Sequence, residues 1–320
     1  MAFVMGIVLP GVVFSVAEKW NLSTHEKPPV QTSPTEQSNV QTKPQQSGEY
    51  QINVQNAASE MELMDLNTYV VGVLLGELPA DFDAEAMKAQ AVVARTYALK
   101  RQSTAQKHSG AVCMESACCQ AYCGIEDYLA KGGKQETVDK VTAAVNATAY
   151  QILTYHDQLI EATYFSCSGG RTEDAMAVWG AQIPYLQAVD SPGEERATHY
   201  TDTVQFTKQA FAKLLGINLE GQPATWFGNV TYTNGGGVDT IVIAGKTFQG
   251  TDLRKLLGLR STAFTITPIG DCVHIMTKGF GHRVGMSQYG AEAMAVKGAS
   301  YVQILSHYYP GTELKDYGQN

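Results

Sequence analysis

The fold is decided by residues 76–97, which read GELPADFDAEAMKAQAVVARTY. Because the proline at position 79 disfavours the α conformation of Leu78, we predict that Glu77 lies on a turn or at a strand end. Asp83 is a suitable N-cap for the helix that follows. A carboxylate therefore stands just ahead of a long helix, on a segment that the proline restrains.

The helix predicted after Asp83 is rich in alanine. Met87, Ala91, Ala94 and Ala98 recur at i, i+4, i+7 and i+11, a pattern that predicts one buried face. Because alanine side chains are small, a neighbouring element can approach this face closely. A rigid helix of this kind is the support that a catalytic acid needs.

The chain of 320 residues has an ordinary globular composition, with 44% hydrophobic and 17% charged residues. A net charge of -8 and the lack of a basic stripe argue against a nucleic-acid-binding protein. The length allows one large core or two smaller lobes. Of the six cysteines, four fall between positions 113 and 123, which favours metal ligation over a disulfide scaffold.

The N-terminal residues 2–17 carry no charge and precede a long polar stretch. They fit either a signal anchor that is retained, over residues 1–18, or a signal peptide cleaved near Ala17. Residues 19–59 are rich in Gln, Thr, Ser and Pro and lack apolar periodicity, which predicts a disordered linker. Such a tether would let the following domain act at a distance from a membrane.

Four blocks occur in the order of a known family: residues 77–97, YFSCSGGRT at 164–172, YLQAVDS at 185–191 and GFGHRVGMSQYG at 279–290. Together they resemble the stage II sporulation protein D (SpoIID) family, whose members are membrane-anchored lytic transglycosylases. The resemblance covers residues 60–312 and implies that the anchor is retained. We expect an α+β fold, with a two-lobed catalytic domain around a cleft that holds Glu77. Residues 313–320 are expected to form a tail.

Histidine and cysteine are concentrated after the alanine-rich helix, in HSGAVCMESACCQAYC at residues 108–123. These donors suit one structural zinc ion with four ligands, and the alternatives are free thiols or a strained local disulfide. The resemblance implies that His108, Cys113 and Cys119 are ligands. Cys118, Cys123 or a water molecule remains for the fourth position. The expected role of the ion is to hold this loop beside the active site.

The resemblance also implies a sugar-binding loop, which follows a hairpin predicted over residues 150–166. Its implied contacts are Ser166, Ser168, Gly169, Gly170 and Thr172. The paired glycines permit a positive φ and close approach of a ligand. An ordinary turn, in which Thr172 caps the next helix, is an alternative that is compatible with sugar binding.

In the C-terminal block, His282 lies between glycine-rich positions shortly before a helix, where a side chain can contact a ligand. The resemblance implies that His282, Gln288 and Tyr289 contribute to the cleft. The family more often has glycine at the position of Arg283, so this chain departs from the family pattern next to His282.

Residues 200–270 show signals for helices and strands but no evident chemistry, which predicts an accessory region. There, Thr207 is expected to cap a helix that ends at Gly216. Farther on, Ser287 is predicted to cap one helix, and residues 300–303 form a capping box for the last one.

The reaction implied by the resemblance is cleavage between N-acetylmuramic acid and N-acetylglucosamine, with formation of a 1,6-anhydro end. One carboxyl group can serve as acid and then as base, and the resemblance assigns this role to Glu77. We therefore predict that burial raises its pKa. Glu85 lies at a helix start, where the dipole favours its ionised form. Glu161 and Glu173 also rank below Glu77.

The resemblance further implies peptide-free glycan strands as substrate during endospore engulfment. Its implied partners are stage II sporulation proteins P, an amidase, and M. The implied location is the cell membrane, crossed once, with the catalytic domain facing the intermembrane space. Three other functions are a hydrolase with a second carboxylate, a non-catalytic wall-binding module that enhances an amidase, and a zinc amidase. Cysteine-rich ligation over a short span argues against the amidase.

Overall fold

The computed structural model describes residues 50–318 except 57 and 105–107. Helices and small sheets alternate along this part of the chain. The helices are α1 (Leu66–Glu77), α2 (Ala84–Thr104), α3 (Ile125–Ala130), α4 (Gln135–Ala147), α5 (Ala175–Trp179), α6 (Lys208–Leu215), α7 (Gly250–Leu256), α8 (Gln288–Val296) and α9 (Tyr301–Tyr308). The mixture confirms the prediction of an α+β protein.

The strands are short and are distributed over the whole described region. They are β1 (Gln51–Gln55), β2 (Met61–Asp65), β3 (Val112–Cys113), β4 (Gln151–Tyr155), β5 (Gln158–Leu159), β6 (Tyr164–Phe165), β7 (Thr201–Thr207), β8 (Phe227–Tyr232), β9 (Val238–Ile243), β10 (Lys246–Gln249), β11 (Phe264–Ile269), β12 (Cys272–Lys278), β13 (Met286–Ser287) and β14 (Glu313–Asp316). Within the described residues they pair in the orders β2-β1-β3, β14-β4-β5, β13-β6, β11-β12-β7 and β10-β9-β8.

The stretch that carries Glu77 is the junction of α1 and α2. Glu77 is the last residue of α1, so the prediction that it lies on a turn or strand end is wrong. The helix ends there because Leu78, which precedes the proline, takes the extended conformation with φ -106° and ψ 144°. The apolar residues of α1 are buried nearly all round, so no amphipathic period indicates this helix. The side chain of Asp83 accepts the N–H of Glu85 at 2.8 Å at the start of α2, as expected of a cap.

Helix α2 is the central element of the larger core, where it packs against α1, α4, α8, α9 and β4. Its alanines are buried, as the sequence predicts. Arg95 is also fully buried, and its guanidinium donates to the carbonyl of Gln151 at 3.1 Å and to the side chain of Asn67 at 3.2 Å. Burial lowers the pKa of Arg95 to about 10. This side chain therefore joins α2 to α1 and β4 through polar contacts inside the core.

The described chain has two hydrophobic cores. The first surrounds α2 and includes residues from position 52 to position 309. The second is formed by β7 to β12 with α6 and α7, and Phe211, Leu253 and Ile275 are among its most buried members. Apart from β12, it falls in the stretch predicted to be accessory, residues 200–270. Thr207 and Gly216 cap α6 as expected.

Two segments at the edges of the domain differ from prediction. Strand β1 lies inside the predicted disordered linker, and β14 lies inside the predicted tail. In β1 the side chains of Ile52 and Val54 are fully buried, an alternation that the polar residues around them conceal. In β14, Leu314 pairs with Leu153 of β4 in antiparallel register. Strand β1 pairs with the adjacent β2 and with the distant β3, and β14 pairs with the distant β4, so local composition alone does not show either segment.

The hairpin predicted over residues 150–166 is formed only in its first half, by β4 and β5. Tyr164 and Phe165 instead pair in parallel with Met286 and Ser287. Strands β6 and β13 thus bring the second and fourth sequence blocks side by side. Ser287 caps α8, and Ser300 with Gln303 forms the predicted capping box of α9.

The predicted anchor and most of the predicted linker lie outside the described residues. Over residues 50–318, apart from the gaps at 57 and 105–107, no helix combines the length and apolar character needed to cross a membrane.

Candidate active site

A cavity of about 610 Å³ opens beside Glu77, at the end of α1. Its walls come from α2, the loop at 116–121, β6 and the turn at 280–282, together with Gln288. Among the described residues that line it, Glu77 is the one carboxylate and Arg101 the one cation. No residue of the second core lines it. The cavity lies against the first core, which corrects the prediction of a cleft between two lobes.

The Glu77 carboxyl group is partly buried and is held through one oxygen. Its Oε1 accepts the backbone N–H of Ala121 at 2.7 Å and the hydroxyl of Tyr164 at 3.1 Å. Burial raises the pKa of Glu77 above its ordinary value, and these two donors with the nearby Gln288 amide oppose the rise without cancelling it. The direction agrees with the expected acid. Since both hydrogen bonds reach Oε1, Oε2 is the oxygen that can hold a transferable proton.

A chain of buried polar side chains fixes this carboxyl group. The hydroxyl of Tyr69 donates to Gln120 at 3.3 Å, and the Gln120 amide donates to Tyr164 at 3.0 Å. Tyr164 in turn donates to Glu77. Burial, and then the charge of Glu77, raise the pKa of Tyr164 well above its ordinary value, so this hydroxyl stays a donor. Neither Gln120 nor Tyr164 is among the predicted contacts, although both lie in the quoted motifs.

Gln288, at the first position of α8, lines the same cavity. Its side chain is buried, and its amide nitrogen makes no hydrogen bond of ordinary length among the described residues, although it lies near enough to the Glu77 carboxyl group to lower the pKa of that group. A buried donor without a partner is costly, and a ligand oxygen would satisfy it. Ser166 lines the cavity as well. The structure thus brings Ser166 and Gln288 together with Glu77, as the sequence predicts.

His282 also reaches this cavity. Burial, with the nearby charge of Arg254, lowers the pKa of His282 to about 4. Its Nδ1 accepts the N–H of Val284 at 3.1 Å, and its ring lies 5.5 Å from that of Trp179. The imidazole is therefore neutral near pH 7. It can orient a ligand through its ring, but it is not a cationic acid, and its N–H is directed to the backbone of Tyr164.

The competing carboxylates are occupied elsewhere. Glu85 is bound by Lys88 and by the backbone N–H of Tyr301. Although partial burial opposes ionisation, these contacts hold the pKa of Glu85 below its ordinary value, as predicted. Glu173 is fully buried in an ion pair, and Glu161 does not line the cavity. Glu77 is therefore the carboxyl group whose surroundings suit an acid.

The predicted sugar-binding loop is only partly exposed to the cavity. Ser168 is fully buried, and both its hydroxyl and its N–H donate to Glu194, at 2.8 and 2.7 Å. The N–H of Gly169 donates to the same carboxylate at 2.9 Å. Gly169 has φ 80°, and a Cβ there would lie 2.9 Å from the backbone of Lys278. This glycine therefore permits close approach of a strand end, and the structure does not bring Ser168 or Gly169 to the cavity lining.

Three further predicted contacts also lie outside the cavity lining. Gly170 has φ 117° and open space where a side chain would be. Thr172 is fully buried, and its hydroxyl accepts the N–H of Val189 at 2.8 Å. It does not cap α5, whose N-cap is Asp174. Tyr289 packs edge-on against Phe82, with ring centroids 5.1 Å apart.

Glu194 is a residue that sequence reasoning missed. Its carboxylate is fully buried and accepts hydrogen bonds from Ser168, Gly169, Ser191 and Ser287. These donors come from the sugar-loop motif, from the third sequence block and from the cap of α8. Three of the four matched blocks are thus joined through one side chain. No local pattern indicates it, because its partners lie far apart in the chain.

The structure shows how Arg283 is accommodated at a position where the family more often has glycine. Its backbone has φ 66°, a region that glycine adopts without strain. Its buried guanidinium donates to Glu173 at 3.2 Å and to the carbonyls of Ser168 at 2.7 Å and Gly235 at 2.7 Å. Glu173 also accepts the N–H of Gly237 at 3.0 Å. The pair ties the turn before β9 to the loop that carries His282.

His108, Cys113, Cys118 and Cys119 form one cluster, in which the four ligand atoms lie within 4.8 Å of one another. Two ligands on a tetrahedral zinc ion stand about 3.8 Å apart, so the cluster has the size and donor set of such a site. Cys118 is the fourth member of this cluster. The thiol of Cys123 instead contacts the Lys131 ammonium at 3.9 Å. All six cysteines are thiols, so the disulfide alternative is not realised.

This cluster is continuous with the acid site. Cys118 and Cys119 line the cavity, and Gln120 and Ala121 follow them directly. The N–H of Ala121 donates to Glu77, and Gln120 donates to Tyr164. Whatever holds the cysteine loop therefore holds the hydrogen bonds that set the position of the Glu77 carboxyl group.

Comparison with known proteins agrees with the four matched blocks. The profile of a family described as "Stage II sporulation protein" matches residues 54–155. Stage II sporulation protein D of Bacillus subtilis (strain 168) is 37% identical over 91% of this chain and 89% of its own length. The protein of that name from Bacillus amyloliquefaciens is 40% identical over 80% of this chain and 76% of its own. The chain therefore belongs to the stage II sporulation protein D family of sporulation proteins.

A more distant relative carries a different name. The "Amidase enhancer" of Bacillus subtilis (strain 168) is 28% identical over 77% of this chain. The matched region is 40% of that protein's length. This similarity bears on the choice between a catalytic and a binding role.

Proposed function

We propose that the chain is a peptidoglycan lytic transglycosylase that cleaves the bond between N-acetylmuramic acid and N-acetylglucosamine. The observation that carries the proposal is a ligand-sized cavity whose described lining holds one carboxyl group, Glu77, with a pKa raised by burial. A hydrolase that uses water normally needs a second carboxylate to activate it. A transglycosylase does not, because a hydroxyl of the substrate is the nucleophile.

The proposed reaction uses Glu77 twice. Its carboxyl proton, held at Oε2, passes to the glycosidic oxygen as the bond from C1 of the muramic sugar to that oxygen breaks. The carboxylate then takes the proton of the C6 hydroxyl, whose oxygen bonds to C1 and forms the 1,6-anhydro ring. The proton returns to Glu77, so the acid is regenerated without water. The hydrogen bonds from Ala121 and Tyr164 to Oε1 keep the carboxyl group aimed through both steps.

We propose further that one structural zinc ion is held by His108, Cys113, Cys118 and Cys119. Three thiols and one imidazole are the donor set of closed structural zinc sites, whereas catalytic sites keep an open position. When bound, the ion supplies a cross-link rather than a reactive group. Its effect on the reaction would pass through the Ala121 N–H that contacts Glu77.

The test is digestion of purified, peptide-free glycan strands by the full-length chain, with mass analysis of the ends. Wild type is compared with Glu77→Gln and with Glu85→Gln, a matched change of a glutamate that is outside the cavity lining. Anhydromuramic ends from wild type and Glu85→Gln, but not from Glu77→Gln, support the proposal. Reducing ends would indicate a hydrolase and a second carboxylate.

The similarity to the amidase enhancer favours a second candidate, a non-catalytic module that binds the cell wall and stimulates an amidase. In that case Glu77→Gln would bind strands and stimulate an amidase as well as wild type does, and neither would release anhydro ends. The same digestion therefore separates the two functions.

Family membership supports a proposal for the biological setting. We propose that residues 1–18 anchor the chain in the cell membrane and that the domain faces the intermembrane space during engulfment. Stage II sporulation proteins P and M are the proposed partners. Co-purification of the full-length chain with either protein from sporulating cells, against a variant without residues 1–18, tests both points.

A further inference from the structure

The cavity offers a positive charge that the reaction described above does not use. Arg101 lies on α2, one turn after Tyr97, and both side chains line the cavity. The guanidinium lies over the Tyr97 ring, 4.9 Å from its centroid. Among the described lining residues it is the one cation. This contact restrains the guanidinium, whose planar fork is suited to binding a carboxylate.

The hydrogen-bonding capacity of Arg101 is not exhausted inside the protein. Its Nη2 lies 3.6 Å from Oε2 of Glu161, which is too long for a hydrogen bond. Its Nε is buried and has no partner within the described chain. Arg101 and Glu161 are each 29% exposed, and ion pairs with such exposure contribute little to stability. Tyr97 takes up part of this capacity, and the remaining donors of the partly exposed guanidinium are available to a ligand in the cavity.

We propose that Arg101 binds the free lactyl carboxylate of N-acetylmuramic acid and so selects glycan strands without stem peptides. This inference rests on the proposed function. In a strand of alternating amino sugars the lactyl group is the only source of a carboxylate, and an attached stem peptide converts it to an uncharged amide. An arginine fork pairs with a carboxylate through charge-assisted hydrogen bonds, which an amide carbonyl accepts more weakly. Arg101 is thus a specificity residue, distinct from the acid Glu77.

The competing interpretation is that Arg101 only supports the end of α2, through Tyr97 and Glu161. The two interpretations differ in what Glu161 does. If Arg101 is structural, loss of either partner of the ion pair has a similar effect. If Arg101 binds the lactyl carboxylate, loss of Glu161 leaves recognition of that group intact, because the change removes only a competing anion.

The experiment measures binding by full-length chains that cannot cleave. The starting protein is Glu77→Gln, and the probes are peptide-free glycan strands and the same strands with their lactyl carboxylates converted to methylamides. Glu77→Gln is compared with the double variants Glu77→Gln/Arg101→Gln, Glu77→Gln/Arg101→Lys and Glu77→Gln/Glu161→Gln. The expected result is that Glu77→Gln binds the free-acid strands about tenfold more tightly than the amidated ones.

Arg101→Gln should remove this preference by weakening only the free-acid complex. Arg101→Lys should retain part of it, because the charge remains but the fork is lost. Glu161→Gln should leave the preference unchanged or increase it. If Arg101→Gln weakens both complexes equally, or neither, this inference is overturned while the proposed function stands. If Glu77→Gln binds neither probe and the wild type releases no anhydro ends, both fail together.

Discussion

Glu77 and Glu194 are two glutamates that the same domain removes from water, and their surroundings differ. Glu194 is fully buried and accepts five hydrogen bonds, from Ser168, Gly169, Ser191 and Ser287. Glu77 is partly buried and accepts two, both on Oε1. Glu194 accepts hydrogen bonds on both oxygens, whereas neither of the two hydrogen bonds to Glu77 reaches Oε2.

The comparison shows how one residue type serves two roles. A carboxylate whose acceptor sites are filled by fixed donors joins the segments that carry those donors. A carboxyl group that is desolvated with few donors has a raised pKa and can give up a proton to a ligand. The number of hydrogen-bond donors around the carboxyl group, rather than its depth of burial, distinguishes the structural Glu194 from the proposed acid Glu77. The predictions below test this separation.

The largest effect is expected from Glu77→Gln. The amide cannot donate the proton, so the rate of anhydro-end release should fall by about 10³-fold, or about 4 kcal/mol of barrier. The measurement is the initial rate on peptide-free strands, and thermal unfolding should show that the variant remains folded. A rate within threefold of wild type would remove Glu77 from its role.

The next effect is on stability and concerns Glu194→Gln. An amide NH₂ would face donors that now find an oxygen, so the free energy of unfolding should fall by about 3 kcal/mol. Urea unfolding measures it, with Glu195→Gln as the control, because the neighbouring Glu195 is exposed. If both changes have the same small effect, the hydrogen-bonded role of Glu194 is wrong.

A somewhat smaller effect is expected from the metal ion. At a free zinc concentration 100 times the Kd, wild type should gain about 2.7 kcal/mol of stability. Cys118→Ser should lose most of this gain, and Cys123→Ser, outside the cluster, should keep it. Thermal unfolding with and without zinc gives the comparison. Equal loss in the two variants would contradict the assignment of Cys118.

The smallest effect is a pH dependence of stability. Because the pKa of Glu77 is raised on folding, the folded state holds that proton more tightly than the unfolded chain does. Stability therefore falls as pH rises from the ordinary carboxyl pKa through the raised one, and Glu77→Gln lacks this fall. The variant should gain in Tm relative to wild type between pH 4 and pH 8. A Tm difference that does not change with pH would show that burial of Glu77 does not raise its pKa.

Activity should follow the same titration. The acid must be protonated before it reacts, so the rate at low substrate should decline as pH rises through the raised pKa of Glu77. His282 stays neutral across this window, because burial lowers its pKa to about 4. The decline is therefore expected to persist in a His282→Gln variant, even if its rate is lower throughout.

The parts of the site that were predictable are those determined by residues close together in the sequence. The effect of Pro79 on Leu78, the caps at Ser287 and Ser300 and the cysteine cluster each act over a few residues, and the structure agrees with them. The parts that were missed depend on distant partners. Ser168 reads as a ligand contact in its motif, yet its hydroxyl is used by Glu194, which lies 26 residues away.

The same distinction explains the errors in the fold. Helix α1 has no amphipathic period because it is buried nearly all round, and β1 lies in polar sequence that pairs with β2 and β3. Arg101 was not predicted because its significance depends on which other charges line the cavity. Sequence order does not give that information.

The long separation between the parts of the site has a consequence for the timing of synthesis. Glu77 emerges from the ribosome early, but its partner Tyr164 lies 87 residues later, and β6 is held by Met286 and Ser287 near the C-terminal end. Glu194 likewise lacks its partner Ser287 until 93 further residues have been synthesised. A nascent chain therefore carries Glu77 without the contacts that bury and orient its carboxyl group. The candidate site would therefore be complete only when almost the whole domain has been released.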